Sequence, residues 1–218
     1  MRRSSTMECA CGLLARWSKW VTMTEPMIKG ALIRDFVRWY TERYGKERLR
    51  RMAEMSPPDL RHLVEPDAHD MPALLASSWY PARLVHAILD ALVEQHSEVD
   101  LERLTRDASR HVVRQSTSGV YRFLLEKVVS PELYAASVPR LWGQLHTTGK
   151  RHVELVGPGE AKSIVSAWSG HHPVLCTIVI ATMAAIFELM GCRDIRWERT
   201  ECVSRGGRQC VTRLTWRT

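Results

Sequence analysis

The chain has 218 residues, 45% of them hydrophobic and 25% charged, with a formal net charge of +7. This composition is globular, and the length suffices to bury a core without staples, so neither a disordered chain nor a disulfide scaffold built on its six cysteines is expected. The arginines are interspersed with glutamates, which predicts a solvated surface and no nucleic-acid partner, and no stretch reaches the roughly 20 apolar residues of a membrane span.

Residues 1–25 carry no sustained period. Cys9-x-Cys11 stands without nearby partners, and the segment is predicted to be a loose extension, with Met23 as an alternative start. Residues 26–218 are predicted to form one domain. Without a convincing secretory signal, the expected location is the cytoplasm, with thiols reduced. Ile33, Phe36, Val37 and Tyr40 recur at helical spacing and predict a helix over 31–44 stopped by Gly45. A second helix is predicted over 46–55, ending before Ser56-Pro57-Pro58. After an irregular stretch, Trp79-Tyr80-Pro81 opens a third helix reaching residue 95. Helices are further predicted over 101–115, 120–129 and 131–145.

The second half changes character. Residues 152–156 and 161–168 read as a strand pair around Gly157-Pro158-Gly159. Pro173 suits a first helical turn. From Val174 to Met190 the only charge is Glu188, which predicts a helix buried nearly all round. Ile195 and Trp197 then alternate with charged residues, and the pattern repeats from Gln209 to Arg217. A three-residue loop at Arg205-Gly206-Gly207 is expected between these strands, setting Cys202 opposite Cys210. Helices followed by strand-strand-helix-strand-strand predict a single α+β domain: an amino-terminal helical bundle, then an antiparallel sheet unit.

The close of the chain, Glu198 to Trp216 after Glu188-Leu189-Met190-Gly191, resembles the four-vinyl-reductase type of small-molecule-binding domain. It more closely resembles a myxobacterial paralogous family of unknown function related to that domain. The opening at Ile28-Lys29-Gly30, Gly45, the Trp79-Tyr80-Pro81 step and Trp142 resemble that family in order. The wider superfamily includes heme-nitric-oxide-binding domains and vesicle-tethering subunits of the TRAPP type. The resemblance implies a regulatory or sensory domain, without enzymatic activity, that holds a small apolar ligand or a protein partner. Trp79, Tyr80, Trp142 and Trp168 are its candidate pocket residues. The alternative is a homodimeric interaction scaffold without ligand.

Cys176, Cys202 and Cys210 resemble the zinc motif of phenol-sensing relatives, in which a glutamate closes a tetrahedral site. Here Arg199 stands at the glutamate's position, leaving Glu198 and Glu201 as flanking acids and Glu198 as the candidate fourth ligand. Zinc and buried reduced thiols both stay open as readings. Heme is not expected, because the Tyr-x-Ser-x-Arg motif of the heme sensors is missing. His111, His146 and His152 read as isolated, and His171-His172 as a pair that does not converge. No nucleophile elbow, phosphate-binding glycine loop or His-Glu-x-x-His motif is present.

Overall fold

Met27–Lys29 (β1) pairs antiparallel with Trp79–Pro81 (β2), Ile28 facing Tyr80. The two conspicuous tripeptides of the amino-terminal half thus meet each other in a computed structural model that describes residues 25–69, 71–116 and 130–217. The contact requires glycine at position 30: a Cβ there would lie 2.1 Å from the Leu75 carbonyl oxygen. The extension expected over 1–25, apart from Glu25, which accepts from Arg83 Nε, and the helix expected over 120–129 lie outside the described residues.

Helices Gly30–Tyr44 (α1), Lys46–Met55 (α2), Ala82–Gln95 (α3) and Glu98–Ser116 (α4) follow the apolar spacing of the sequence. They share one core that includes Val37, Tyr40, Leu49, Leu84 and Leu92. Pro131–Leu145 (α5) starts at Ser130, whose hydroxyl accepts the Leu133 N–H, with Pro131 in the first turn. It packs on Lys150–Gly157 (β3).

Glu160–Ser166 (β4), Pro173–Leu189 (α6), Arg193–Glu201 (β5) and Gln209–Arg217 (β6) complete the chain. The sheet order is β3-β4-β6-β5, antiparallel throughout, and the expected α+β class is what forms. Phe187 on α6 meets the Trp216 ring of β6 edge-on at 5.0 Å. Glu188, the single charge of α6, pairs with Arg110 of α4 through both carboxylate oxygens. No helix among the described residues is long and apolar enough to cross a membrane.

The β5–β6 connection differs from the expected three-residue loop. Val203–Arg205 forms a 3₁₀ turn, and Gly206 follows at φ 84, so the loop is longer than the glycine pair alone suggests. The ladder also shifts between Arg199 and Glu201, leaving Thr200 as an extra residue. A bulge of this kind moves the following residues to the opposite face.

Trp79, a candidate pocket residue, lies outside both the core and the cavity walls. It is 37% exposed, with the Lys29 ammonium 4.7 Å from its ring centre. Position 79 points away because its neighbour Tyr80 takes the inward side of the strand. Trp79→Ala should therefore lower stability by about 1 kcal/mol or less, the scale of an exposed cation–π contact. Urea unfolding checks this; a loss of several kcal/mol would place Trp79 in the core.

Candidate functional site

A cavity of about 120 Å³ opens where α1 and α3 face α5 and α6. Phe36, Leu89, Val138, Trp142, Leu175 and Ile178 are among its walls, and Thr182, His146 and Arg151 are its conspicuous polar groups. The walls follow from the apolar faces of α1, α3 and α5 meeting α6, which is apolar nearly all round. A space near 150 Å³ lined by such side chains stays dry and admits a benzene-sized molecule.

His146 is fixed by the end of α5. Its backbone leaves the helix in extended conformation, its N–H donates to the Trp142 carbonyl, and it bridges Ile28 of β1. The ring is 4% exposed and stacks on Trp142 with centroids 3.9 Å apart. Burial, with the Arg151 charge nearby, holds its pKa down at about 3, so the imidazole is neutral at ordinary pH. Its Nδ1 is buried without a hydrogen-bond partner among the described residues, as is Nε1 of Trp168, whose ring meets His146 edge-on at 5.3 Å. Buried polar atoms normally find partners, so the orphaned nitrogen of His146, which lines the cavity, suits a ligand with one polar atom. Arg151 is held by Ser163, to whose Oγ its Nε donates at 3.1 Å.

The four aromatic residues singled out from the sequence separate. Trp142 lines the cavity, its Nε1 donating to the Thr148 carbonyl at 3.1 Å. Trp168 backs Trp142 edge-on at 4.9 Å. Tyr80 is buried in the helical core, its hydroxyl accepting the Leu75 N–H. Trp79 lies outside. His146, the most constrained group on the wall, escapes sequence reasoning because a single histidine after a helix carries no spacing signal.

Cys176, Cys202 and Cys210 come together near the start of α6, and His171 joins them. Glu198 does not: it is exposed on β5, opposite Arg213 of β6. Glu201 instead accepts the Arg208 and Gln209 N–H groups, bracing the loop. His172 turns the other way from His171, accepting the Val174 N–H as helix cap and meeting Asp90 at 3.1 Å.

Structural comparison finds an H-NOX protein from K. algicida in the Fe(II) unliganded form, with a TM-score of 0.62, 13% identity, and coverage of 88% of this chain and 97% of that one. An S. oneidensis H-NOX protein in the Fe(II) ligation state gives 0.60 and 10%, over 88% and 97%. The chain has the H-NOX fold. A further H-NOX structure, described by its heme distortion, matches at 0.59 and 10%, over 88% and 96%. No family model and no curated protein matches.

This H-NOX-like fold corrects the exclusion of heme. A missing five-residue motif does not set heme aside when 88% of the chain folds as proteins described by Fe(II) and heme. The donor chemistry is compatible with such a group: a neutral buried imidazole, a cation in Arg151 and apolar walls. The cavity as folded is smaller than a porphyrin, so a macrocycle would require α1 and α3 to move away from α5 and α6.

Proposed function

We propose that this chain is a sensory domain that takes a small, mainly apolar molecule between its amino-terminal helices and the α5–α6 wall, and that it acts by binding and not by catalysis. The cavity carries the reading, because it combines apolar walls with an unpartnered imidazole nitrogen. Apolar contact would supply affinity, and the His146 nitrogen would select ligands with one matching polar atom. If heme is the resident group, His146 is the side chain positioned to offer a nitrogen and Arg151 the one to meet a carboxylate; heme would supply gas binding at its iron. The finer placement beside the four-vinyl-reductase domains would rest on the Glu198–Trp216 close of the chain, and that in the related myxobacterial family on the Ile28-Lys29-Gly30 and Trp79-Tyr80-Pro81 landmarks, which pair as β1 and β2.

Purified protein should be titrated separately with hemin, indole, phenol and toluene, following visible absorption and melting temperature. A probe that fits should raise the melting temperature in proportion to ln(1 + [L]/Kd), and His146→Phe should weaken binding of the polar-tipped probes more than that of toluene. Bare protein indifferent to all four would overturn the proposal. A doubled mass without cargo in native mass spectrometry would then favour the dimeric scaffold.

A further inference from the structure

The two edges of the sheet β3-β4-β6-β5 differ. β5 runs irregularly: its ladder with β6 shifts between Arg193 and Arg196 and again between Arg199 and Glu201, and Asp194 sits at φ 51. Irregularities of this kind twist an edge away from further pairing. β3 instead pairs with β4 residue by residue from Lys150 to Leu155 without interruption. No other strand lies on its far side, and beyond the β3–β4 ladder its backbone from Lys150 to Val156 makes no hydrogen bond among the described residues. Glu154, Leu155, Val156 and Gly157 are exposed in a row. A strand edge left open in this way accepts another strand.

The charges along β3 decide which strand fits. Lys150, His152 and Glu154 alternate onto the exposed face, while Val153 packs inward with Tyr134 and Val138. The exposed face therefore runs from a cation to an anion along the chain. Glu154 meets His152 at 3.3 Å and lies across from Lys162 of β4, but Lys150 has no acidic partner among the described residues. A second copy of the same strand, laid antiparallel, reverses this order. With the two-fold axis at His152, Lys150 of each copy faces Glu154 of the other, and both attractions form at once. Other registers fit less well. A parallel copy in register opposes like charges, as does an antiparallel one centred on Glu154, and centring on Val153 leaves Lys150 against Val156. Exposed Leu155 and Val156 continue the strip past this pairing, and Leu133 is exposed on α5, the helix packed on β3.

We propose that the open edge of β3 is a docking surface for a second copy of this chain, which adds its own β3 antiparallel about His152 and joins the two sheets into one. Backbone hydrogen bonds across the edge supply the attraction, and the reciprocal Lys150–Glu154 contacts select the partner and its direction. A contact built on one short strand belongs at the small end of interfaces, below about 1,200 Å² in total, so the dimer is reversible and concentration-dependent. The pairing does not require that the cavity be filled. β3 also carries Arg151 to the cavity wall, however, so a ligand held there and a second copy at the edge would act on the same strand.

Sedimentation of the full chain, kept reduced, should show a monomer–dimer equilibrium that salt shifts toward monomer. Lys150→Glu and Glu154→Lys should each raise the dissociation constant about tenfold, because each turns two symmetric attractions into repulsions. Both positions are exposed, so neither variant should lower the melting temperature by more than a few degrees. The double variant Lys150→Glu/Glu154→Lys should recover most of the association. His152→Cys, on the two-fold axis, should give a covalent dimer on mild oxidation, with position 152 in both joined peptides by mass spectrometry. Wild-type protein that stays monomeric at high micromolar concentration would overturn the proposal. So would a dimer that survives both single charge reversals, or a double variant that associates no better than the singles, since association would then run through another surface.

Discussion

Trp142→Ala should lower stability by about 3–5 kcal/mol, the range for a large aromatic side chain removed from a core. The ring is 5% exposed, covers His146 face-on and meets Trp168 edge-on. Its removal enlarges the existing cavity and leaves the Thr148 carbonyl without its indole donor. Trp142→Phe separates the two contributions: it keeps a ring on His146 and loses the hydrogen bond, for about 1–3 kcal/mol when an acceptor is left buried. Urea unfolding at neutral pH measures both. Because Trp142 lines a cavity, indole should restore part of the lost stability of Trp142→Ala by binding to the folded state alone, a gain of roughly 2.7 kcal/mol at one hundred times its Kd. A loss below about 1 kcal/mol would mean that the ring is not packed as described.

The readability of this chain varies with the kind of information needed. Helices α1, α3 and α6 were legible because their apolar residues recur at three- and four-residue steps, and β6 because its alternation is regular from Gln209 to Arg217. The three-residue β1 and β2 were not, since neither is long enough to show a period. The bulge at Thr200 is likewise invisible in composition. It decides which face Glu201 and Cys202 occupy, so Glu198 looked like the nearest acid to the thiols while His171 approached from another loop. Trp79 and Tyr80 show a similar limit: adjacent aromatics on a strand must face opposite ways, but their sequence does not say which faces in. The cavity wall was legible at Trp142 and illegible at His146, whose burial depends on a tertiary bridge to Ile28.

His146 should also make the protein sensitive to acid. Its pKa falls from the ordinary 6.5 to about 3 in the fold, so the unfolded chain takes up the proton first. Stability from this group is therefore complete above about pH 6.5 and declines as pH falls toward 3, by up to about 1.4 kcal/mol per pH unit. Burial is the main cause, because charging the ring there forfeits its hydration; Arg151 adds repulsion. His96 and His172 are shifted the same way, and the lowered carboxylates Asp59, Asp100, Glu160 and Glu201 also favour the fold less in acid. The wild-type pH curve alone therefore does not isolate His146. His146→Phe keeps a flat ring against Trp142 and removes the titration. From pH 6.5 to 5 the wild type should lose about 2 kcal/mol more than His146→Phe in urea unfolding. Parallel curves would show that protons or solvent reach the ring in the folded state. A divergence of the expected size would establish a neutral imidazole within an apolar wall, the condition under which its free nitrogen can hold a ligand without first giving up a proton.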